Sequence, residues 1–156
     1  MSMGDLERAL DLIVANMDRA DFEGQKSEEI IASAEAALGV HFPATYRAFL
    51  SKCGCGDFAG HEFYGIIGDD FYNSGVPDAV WITLKEREES GLPNHLVVVY
   101  DQGDGAYYAL DCFGSNVSGE SPVVVWVPGA SRKGDRLEVV AEDFGGLLLE
   151  KIQSSL

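Results

Sequence analysis

The run from Phe42 to Gly65, FPATYRAFLSKCGCGDFAGHEFYG, constrains the fold most, because it passes from a helical pattern to a strand pattern within a few residues. Pro43 suits the first position of a helix, where an N–H group is not needed. The buried face of that helix is predicted from apolar residues at i, i+3 and i+4, which are Tyr46, Phe49 and Leu50. Gly54 and Gly56 predict its end, since glycine tolerates the left-handed backbone needed there. The run therefore predicts a helix joined to a sheet by a glycine turn.

Three other stretches have the periodicity of amphipathic helices. The first starts near Ser2, and the stripe that we expect in its core consists of Leu6, Leu10, Ile13, Val14 and Met17. The second lies between Ser27, a good N-cap, and Gly39, a good C-terminal glycine. Its predicted buried face consists of Ile30, Ile31, Ala34, Ala37 and Leu38. The last begins at Asp143, and its predicted inner residues are Phe144, Leu147, Leu148 and Ile152.

The region after residue 61 has a strand pattern, in short pieces separated by polar loops. The predicted strands are residues 62–67, 96–100, 106–111, 122–127 and 137–140. The predicted loops are residues 22–26, 68–77, 101–105 and 112–121. Residues 78–90 are compatible with two structures. A helix capped by Asp78 would bury Val80, Trp81, Leu84 and Glu88, whereas the β-branched Val80, Ile82 and Thr83 also suit a strand.

The charge of the chain excludes some partners and favours others. The 26 Asp and Glu residues against 11 Lys and Arg give a formal net charge of −15, which repels nucleic acid and anionic membranes. The same charge attracts a basic protein, although solubility alone is the alternative explanation. No apolar run is long enough to span a bilayer, and the acidic N-terminus does not resemble a signal peptide. Three cysteines, two of them in Cys53-Gly54-Cys55, favour a reducing cytoplasm. We expect one domain over residues 1–156 and leave the oligomeric state open.

We find no motif for catalysis, a metal or a cofactor. Cys53, Cys55 and His61 are soft ligands close in sequence, but zinc needs a fourth ligand and none stands out. Asp101, Asp104 and Asp111 do not have the spacing of a calcium loop. No nucleophile motif, P-loop or dinucleotide fingerprint is present. The sequence therefore predicts a protein that is not an enzyme.

Aromatic residues that stand among acids are the best candidates for a binding site. Large aromatic side chains supply buried area at protein interfaces, and charges around them steer association. The candidate partner-binding residues are Tyr64, Asp69, Asp70, Phe71, Tyr72, Asp78, Trp81, Asp101, Asp104 and Tyr107. The alternative is that about half of the aromatic rings fill the inner face of the sheet.

Short motifs in a fixed order make the chain from Ser27 to Ile152 similar to a known family. They are Ala34-Glu35, Leu38-Gly39, Phe42-Pro43, Tyr46, Phe49-Leu50, Gly54, Gly56, Tyr64-Gly65, Leu96-Val-Val-Val, Asp101, Gly105, Leu110-Asp111, Pro122-Val-Val-Val-Trp126, Ala141 and Phe144. In this order they resemble the SUKH superfamily, the SMI/KNR family of bacterial immunity proteins and fungal cell-wall regulators. Cys53 and Cys55 depart from the family pattern, which has small or polar residues there.

The resemblance implies an α+β fold, in which a mainly antiparallel sheet of about four to six strands packs against N-terminal helices and a C-terminal helix. It also implies a non-catalytic role, since many bacterial members neutralise a toxin, often a nuclease, by direct binding. Our first hypothesis is therefore a cytoplasmic immunity protein that binds a basic toxin through the sheet and the loops at 68–78 and 101–105. A regulatory or scaffolding module that binds a cellular protein or small ligand is the alternative.

Overall fold

The computed structural model describes residues 2–113 and 119–156. Its helices are α1 Ser2–Ala15, α2 Glu28–Leu38, α3 Ala44–Cys53, α4 Ala79–Glu89 and α5 Phe144–Gln153, with a 3₁₀ turn at Met17–Arg19. Its strands are β1 Ala20–Phe22, β2 Gly56–Phe58, β3 His61–Phe63, β4 Leu96–Asp101, β5 Tyr107–Asp111, β6 Val123–Trp126 and β7 Val139–Ala141. All seven form one sheet in chain order, and neighbouring strands are antiparallel. The predicted α+β fold is confirmed, with slightly more strands than expected.

The two strands that were not predicted, β1 and β2, lie at one edge of the sheet and are three residues long. β2 and β3 form a hairpin through Ala59 and Gly60, whose φ angles of 51° and 87° are both positive, as in the turn that suits a two-residue hairpin. β1 then pairs with β2, so the prediction that residues 22–26 are entirely loop is wrong at Phe22. The strand predicted at 62–67 is shorter and is followed only by an isolated bridge between Gly65 and Asp78.

The local signals at the helix ends predict α2 and α5 well. The Ser27 hydroxyl accepts a hydrogen bond from the Ile30 N–H, and Gly39 ends α2 with a φ of 70°. The Asp143 carboxylate likewise accepts from the Gly146 N–H at 2.7 Å. Helix α3 starts one residue later than predicted, since Pro43 is extended and precedes it.

The expected core stripe of α1 is only partly correct. Leu6, Ala9 and Ile13 are buried, and they join the core on the side where α1 packs against α5. Val14 is 73% exposed and Met17 is 60% exposed, so their predicted burial is wrong. The stripe read from the sequence combines two adjacent faces of the helix, and α5 covers only one of them.

Residues 79–89 are helical, and tertiary contacts decide which of their side chains are buried. The Asp78 carboxylate caps α4 by accepting from the Val80 and Trp81 N–H groups. The buried residues are Ala79, Val80, Ile82, Thr83 and Glu86. Of the predicted face, Val80 is buried, Trp81 and Leu84 are half-buried against the apolar clusters, and Glu88 is exposed, so its predicted burial is wrong. The reason is that α4 packs along β4, where the Thr83 hydroxyl accepts a hydrogen bond from the Val98 N–H at 2.9 Å. Because α4 lies beside β4, its side chains contact apolar residues on both faces of the sheet.

The two faces of the sheet are covered to different extents. One face holds the main core, where Phe58, Phe63 and Val97 meet the inner residues of α1, α2, α3 and α5. The other face has a smaller apolar cluster, which includes Tyr64, Ala79, Ile82, Leu96, Val98 and Trp126. No helix in the described residues has the length and apolar character to cross a bilayer.

Candidate functional site

Strand register places four carboxylates in one line across β1, β2, β3 and β4. Asp21 pairs with Asp57, and Asp57 pairs with Glu62. Phe63 pairs with Tyr100 in antiparallel register, which sets Glu62 opposite Asp101. We call Asp21, Asp57, Glu62 and Asp101 the carboxylate row.

The carboxylate row lies on the face of the sheet opposite the main core. Each row residue on β2 and β3 is followed by a fully buried phenylalanine, Phe58 or Phe63, which belongs to that core. Because successive side chains of a strand point to opposite faces, the acids point away from it. Asp21, Glu62 and Asp101 are exposed and Asp57 is half-buried.

The row is electrostatically unfavourable within this chain. Acids directly opposite one another on adjacent strands repel. Burial, then Asp57 and then Asp101 raise the pKa of the Glu62 carboxyl above its ordinary value. In the described parts of the chain, no lysine, arginine or histidine forms an ion pair with these four acids. Such a row is therefore suited to a cationic group from outside the chain.

A shallow depression of about 330 Å³ lies over the middle of the row. Asp21, Asp57 and Glu62 line it, and Glu23, which pairs with Lys26 at 3.6 Å, adds a fourth carboxylate. Ile67 and Pro77, which flank the loop of residues 68–76, form its apolar border. Carboxylates around an apolar border match the chemistry of a lysine or arginine side chain, which has a methylene stem and a charged end.

Tyrosines border the other end of the row. Tyr107 pairs with Asp101 and is half-buried, and its hydroxyl pKa is raised by burial, then by Glu86 and Asp101. Tyr64 follows Glu62 on the same face but is only 2% exposed. Burial, Asp101 and Glu62 raise the pKa of the Tyr64 hydroxyl, in that order. Tyr107 is therefore the aromatic side chain beside the row that a partner could reach.

The structure places three of the ten predicted site residues inside the fold. Tyr64 and Phe71 are 2% and 5% exposed, and both belong to apolar clusters. Asp78 has no exposed surface, and its carboxylate is the cap of α4. Burial is the main reason that the pKa of Asp78 is raised, against the hydrogen bonds that it accepts. These three residues stabilise the fold and offer no surface to a partner.

The remaining predicted residues are accessible, and some of them also hold turns. Asp70 accepts hydrogen bonds from the Tyr72 and Asn73 N–H groups, and its pKa is lowered mainly by Asn73. Asp101 accepts from the Gly103 N–H and Asp104 from the Ala106 N–H. The others are Asp69, Tyr72 at 72% exposure, Trp81 and Tyr107. Of all ten, only Asp101 and Tyr107 lie on the row or pair with it.

Sequence reasoning did not include Asp21, Asp57 or Glu62 among the candidate binding residues. A usable signal was present in residues 57–63, DFAGHEF, where acids and apolar residues alternate on both sides of an Ala-Gly turn. This alternation predicts a hairpin with Asp57 and Glu62 on its polar face. Asp21 had no comparable signal, since β1 is defined by its pairing with β2.

The cysteines have the properties of buried packing residues. Burial raises the pKa of Cys53 to about 11, and that of Cys55 to about 12. A thiol with such a pKa is protonated at neutral pH and is a poor nucleophile. The residues that the structure describes contain no group of three His, Cys, Asp or Glu side chains arranged to hold a metal ion.

A glycine between the cysteines allows close packing of α3 against neighbouring loops. Gly54 has a φ of 73°, and a Cβ there would lie 2.5 Å from the Gly24 carbonyl oxygen. A Cβ on Gly65 would overlap the Gly54 carbonyl oxygen. The segment from Phe42 to Gly65 thus holds β2 and β3 against the main core, and Asp57 and Glu62 on the opposite face.

Comparison with known families agrees with this architecture. The family model SUKH_6, described as SMI1-KNR4 cell-wall, matches residues 28–148, which is well over half of the chain. The match includes α2, α3, α4 and strands β2 to β7, together with three of the four acids of the carboxylate row. The chain therefore belongs to the SUKH superfamily of SMI1/KNR4-type proteins.

Proposed function

We propose that this protein is a cytoplasmic immunity protein that neutralises a basic toxin by binding it through the carboxylate row and Tyr107. The proposal rests on family membership together with the carboxylate row. The binding is non-catalytic, because occupying the active surface of a toxin requires complementarity and no proton transfer by this chain.

The carboxylate row is the observation that carries the proposal. Favourable cross-strand side-chain pairs contribute about 0.2–1 kcal/mol, and directly opposed like charges are destabilising. A cationic surface laid across Asp57 and Glu62 would remove that repulsion, so binding would gain energy that the free protein lacks. The net charge of −15 would also accelerate encounter with a basic partner.

A nuclease fits the chemistry of this face. A nuclease must hold a phosphate backbone, and it does so with lysine and arginine side chains. A line of carboxylates presents negative charges in a row, as a nucleic acid strand does. An immunity protein with this face would therefore occupy the surface that the substrate needs.

Co-expression with the toxin encoded beside this gene tests the proposal. Wild-type protein should restore growth and copurify with the toxin. The double variant Asp57→Lys, Glu62→Lys should lose protection, and its dissociation constant should rise about 100-fold or more, as expected for lost charge pairs at an interface. It should still fold, since the two lysines oppose each other but each also has an acid, Asp21 or Asp101, as its other cross-strand neighbour.

A matched control separates the row from net charge. Glu88→Lys combined with Glu150→Lys makes the same charge change at exposed helical positions outside the row. This control should protect cells and bind within about threefold of wild type, since charges outside an interface act mainly through steering. Failure of the wild-type protein to bind or protect would overturn the immunity role. Equal binding by both double variants would remove the row from the interface.

A further inference from the structure

Helix α1 has a second apolar stripe beside the one that packs on α5. It consists of Met3, Leu10 and Val14 of α1 and of Met17, which lies in the 3₁₀ turn after the helix. The spacings of seven, four and three residues are those of a heptad seam, with Glu7 at the position that completes it. This is the pattern of a surface that packs against another helix.

The stripe forms one wall of a groove of about 560 Å³. Ala48 and Lys52 of α3 form the opposite wall, and Phe22 and Cys53 contribute between the two helices. Phe22 is held in place by an edge-to-face contact with Phe49, whose ring centroid is 6.1 Å away. The groove is therefore mainly apolar, and both of its walls are helices that are fixed by the core.

The apolar side chains of this stripe are unusually exposed. Val14 is 73% exposed, Met17 60% and Met3 39%, and they lie together around one groove. Apolar side chains scattered singly on a surface need no explanation, but a contiguous patch marks an interaction site. Covering such side chains is favourable in proportion to the apolar area removed from water.

The charges around the groove indicate what covers it. Two acids, Glu7 and Asp11, lie on the α1 side against one cation, Lys52, on the α3 side, and no ion pair joins either acid to another described residue. A second copy of this chain would bring another net charge of −15 to the same place, which disfavours self-association. A cationic helix would instead pair with both carboxylates while its apolar side covers Val14 and Met17.

We propose that this groove binds an amphipathic helix of a partner protein, with an apolar stripe at i, i+3, i+4 and i+7 flanked by lysine or arginine. Binding of a helix in an apolar groove through such anchors is a general mode of peptide recognition. The proposal goes beyond the immunity role and does not depend on it, because the groove and the carboxylate row are on opposite faces of the sheet. β1 borders both surfaces, since Phe22 lines the groove and Asp21 lies on the row.

A synthetic probe tests the groove directly. The probe is a fluorescein-labelled, capped peptide of about 18 residues, enough to run the length of α1, with leucine at the anchor positions and lysine beside them. Its binding to the full chain is measured by fluorescence anisotropy. Val14→Glu combined with Met17→Glu should raise the dissociation constant about tenfold or more, as loss of a central anchor does. Both positions are exposed, so the variant should fold.

Two controls separate the groove from general attraction of a cationic peptide. Val139→Glu makes the same kind of change at a 58% exposed valine on β7, and binding should stay as in wild type. Asp57→Asn with Glu62→Gln removes charge from the carboxylate row and should also leave binding unchanged. A peptide with glutamate in place of lysine should bind more weakly than the probe.

Several results would overturn the proposal. One is the absence of probe binding to the wild-type protein. Another is an equal affinity of the Val14→Glu, Met17→Glu variant and the wild type for the probe. A third is an equal affinity of the wild type for the probe and for the glutamate peptide. A dimer of the wild-type chain that the same double variant dissociates would assign the groove to a second copy instead. Amide chemical shift changes on wild-type protein must fall on residues 3–17, Ala48 and Lys52. Shifts confined to the carboxylate row would assign the peptide to that face.

Discussion

Acidic residues of this chain differ in what surrounds them. Asp78 and Asp143 cap helices, and Asp70 and Asp104 hold turns, so these side chains accept backbone hydrogen bonds within the fold. Glu62 instead has acids as its cross-strand neighbours and is not stabilised by an ion pair with any described residue. Composition alone does not distinguish these environments.

Glu62→Gln should stabilise the protein at pH 7. Because burial, Asp57 and Asp101 raise the pKa of Glu62, its charged form is less favourable in the folded state than in the unfolded state. We expect the free energy of unfolding to rise by about 0.5 kcal/mol, in the range for relieving a cross-strand like-charge pair. Urea denaturation at pH 7 measures this change.

The pH dependence of that gain follows from the direction of the pKa shift. Below the unfolded pKa of about 4.3, Glu62 is protonated in both states and imposes no penalty. The penalty grows as the pH rises above the unfolded pKa and is complete above the raised folded pKa, so wild type and Glu62→Gln should be equally stable near pH 3.5 and diverge towards neutrality. A variant that is less stable than wild type at pH 7 would contradict the repulsion.

The N-terminus of α3 shows how an element can depend on a distant residue. Pro43 provides no side-chain cap, and the Glu120 carboxylate accepts hydrogen bonds from the Thr45 N–H at 2.9 Å and its hydroxyl at 2.8 Å. The Thr45 hydroxyl oxygen in turn accepts from the Gly145 N–H of α5 at 3.1 Å. Glu120 is 2% exposed, and burial is the first cause of its raised pKa. One buried carboxylate thus joins the starts of two helices.

Glu120→Ala should therefore cost more than the loss of an ordinary helix cap. It leaves the Thr45 N–H and hydroxyl without their buried acceptor, and we expect a loss of about 2–3 kcal/mol in the free energy of unfolding. Ser27→Ala at the exposed cap of α2 is the control, with an expected loss of about 1 kcal/mol. Chemical denaturation compares the two variants. A smaller loss for Glu120→Ala than for Ser27→Ala would show that α3 does not depend on this cap.

Elements differ in how well local signals specify them. Ser27 with Gly39, and Asp143 with its apolar periodicity, are enough to locate α2 and α5, because caps and turns act within a few residues. The apolar run Leu96-Val-Val-Val specifies β4 in the same way. β1 and β2 have three residues each and are too short to be stable alone, so only their pairing defines them.

On the scale of the whole molecule, the two faces of the sheet have different roles. The main core on one face fixes the strands, and the other face presents the carboxylate row beside a smaller cluster. The net charge of −15 belongs to the chain as a whole and acts on a partner at long range. Steering by the whole charge and the recognition that we propose for the row are therefore separable in experiment.

Association with a basic toxin should slow as salt is added. Screening shortens the Debye length from about 10 Å at 0.1 M to about 3 Å at 1 M, so long-range attraction is lost first. Between 50 mM and 500 mM NaCl we expect the association rate constant to fall about tenfold or more, within the range for steered encounters. Stopped-flow measurements check this. A rate constant that does not depend on salt would remove charge from the mechanism.

The resemblance to the SUKH superfamily implies the α+β class. Local periodicity, turn chemistry and composition specify the caps of α2 and α5, the central strands and the acidic character of the surface. Strand register in the folded chain completes the carboxylate row: Asp21 and Asp101 are far in the chain from the hairpin that holds Asp57 and Glu62, and become their neighbours in the sheet. The tertiary structure also decided that α5 covers Leu6 and Ile13 and leaves Val14 and Met17 open. The physical reason is that register and helix packing depend on contacts between distant segments, which local patterns do not contain.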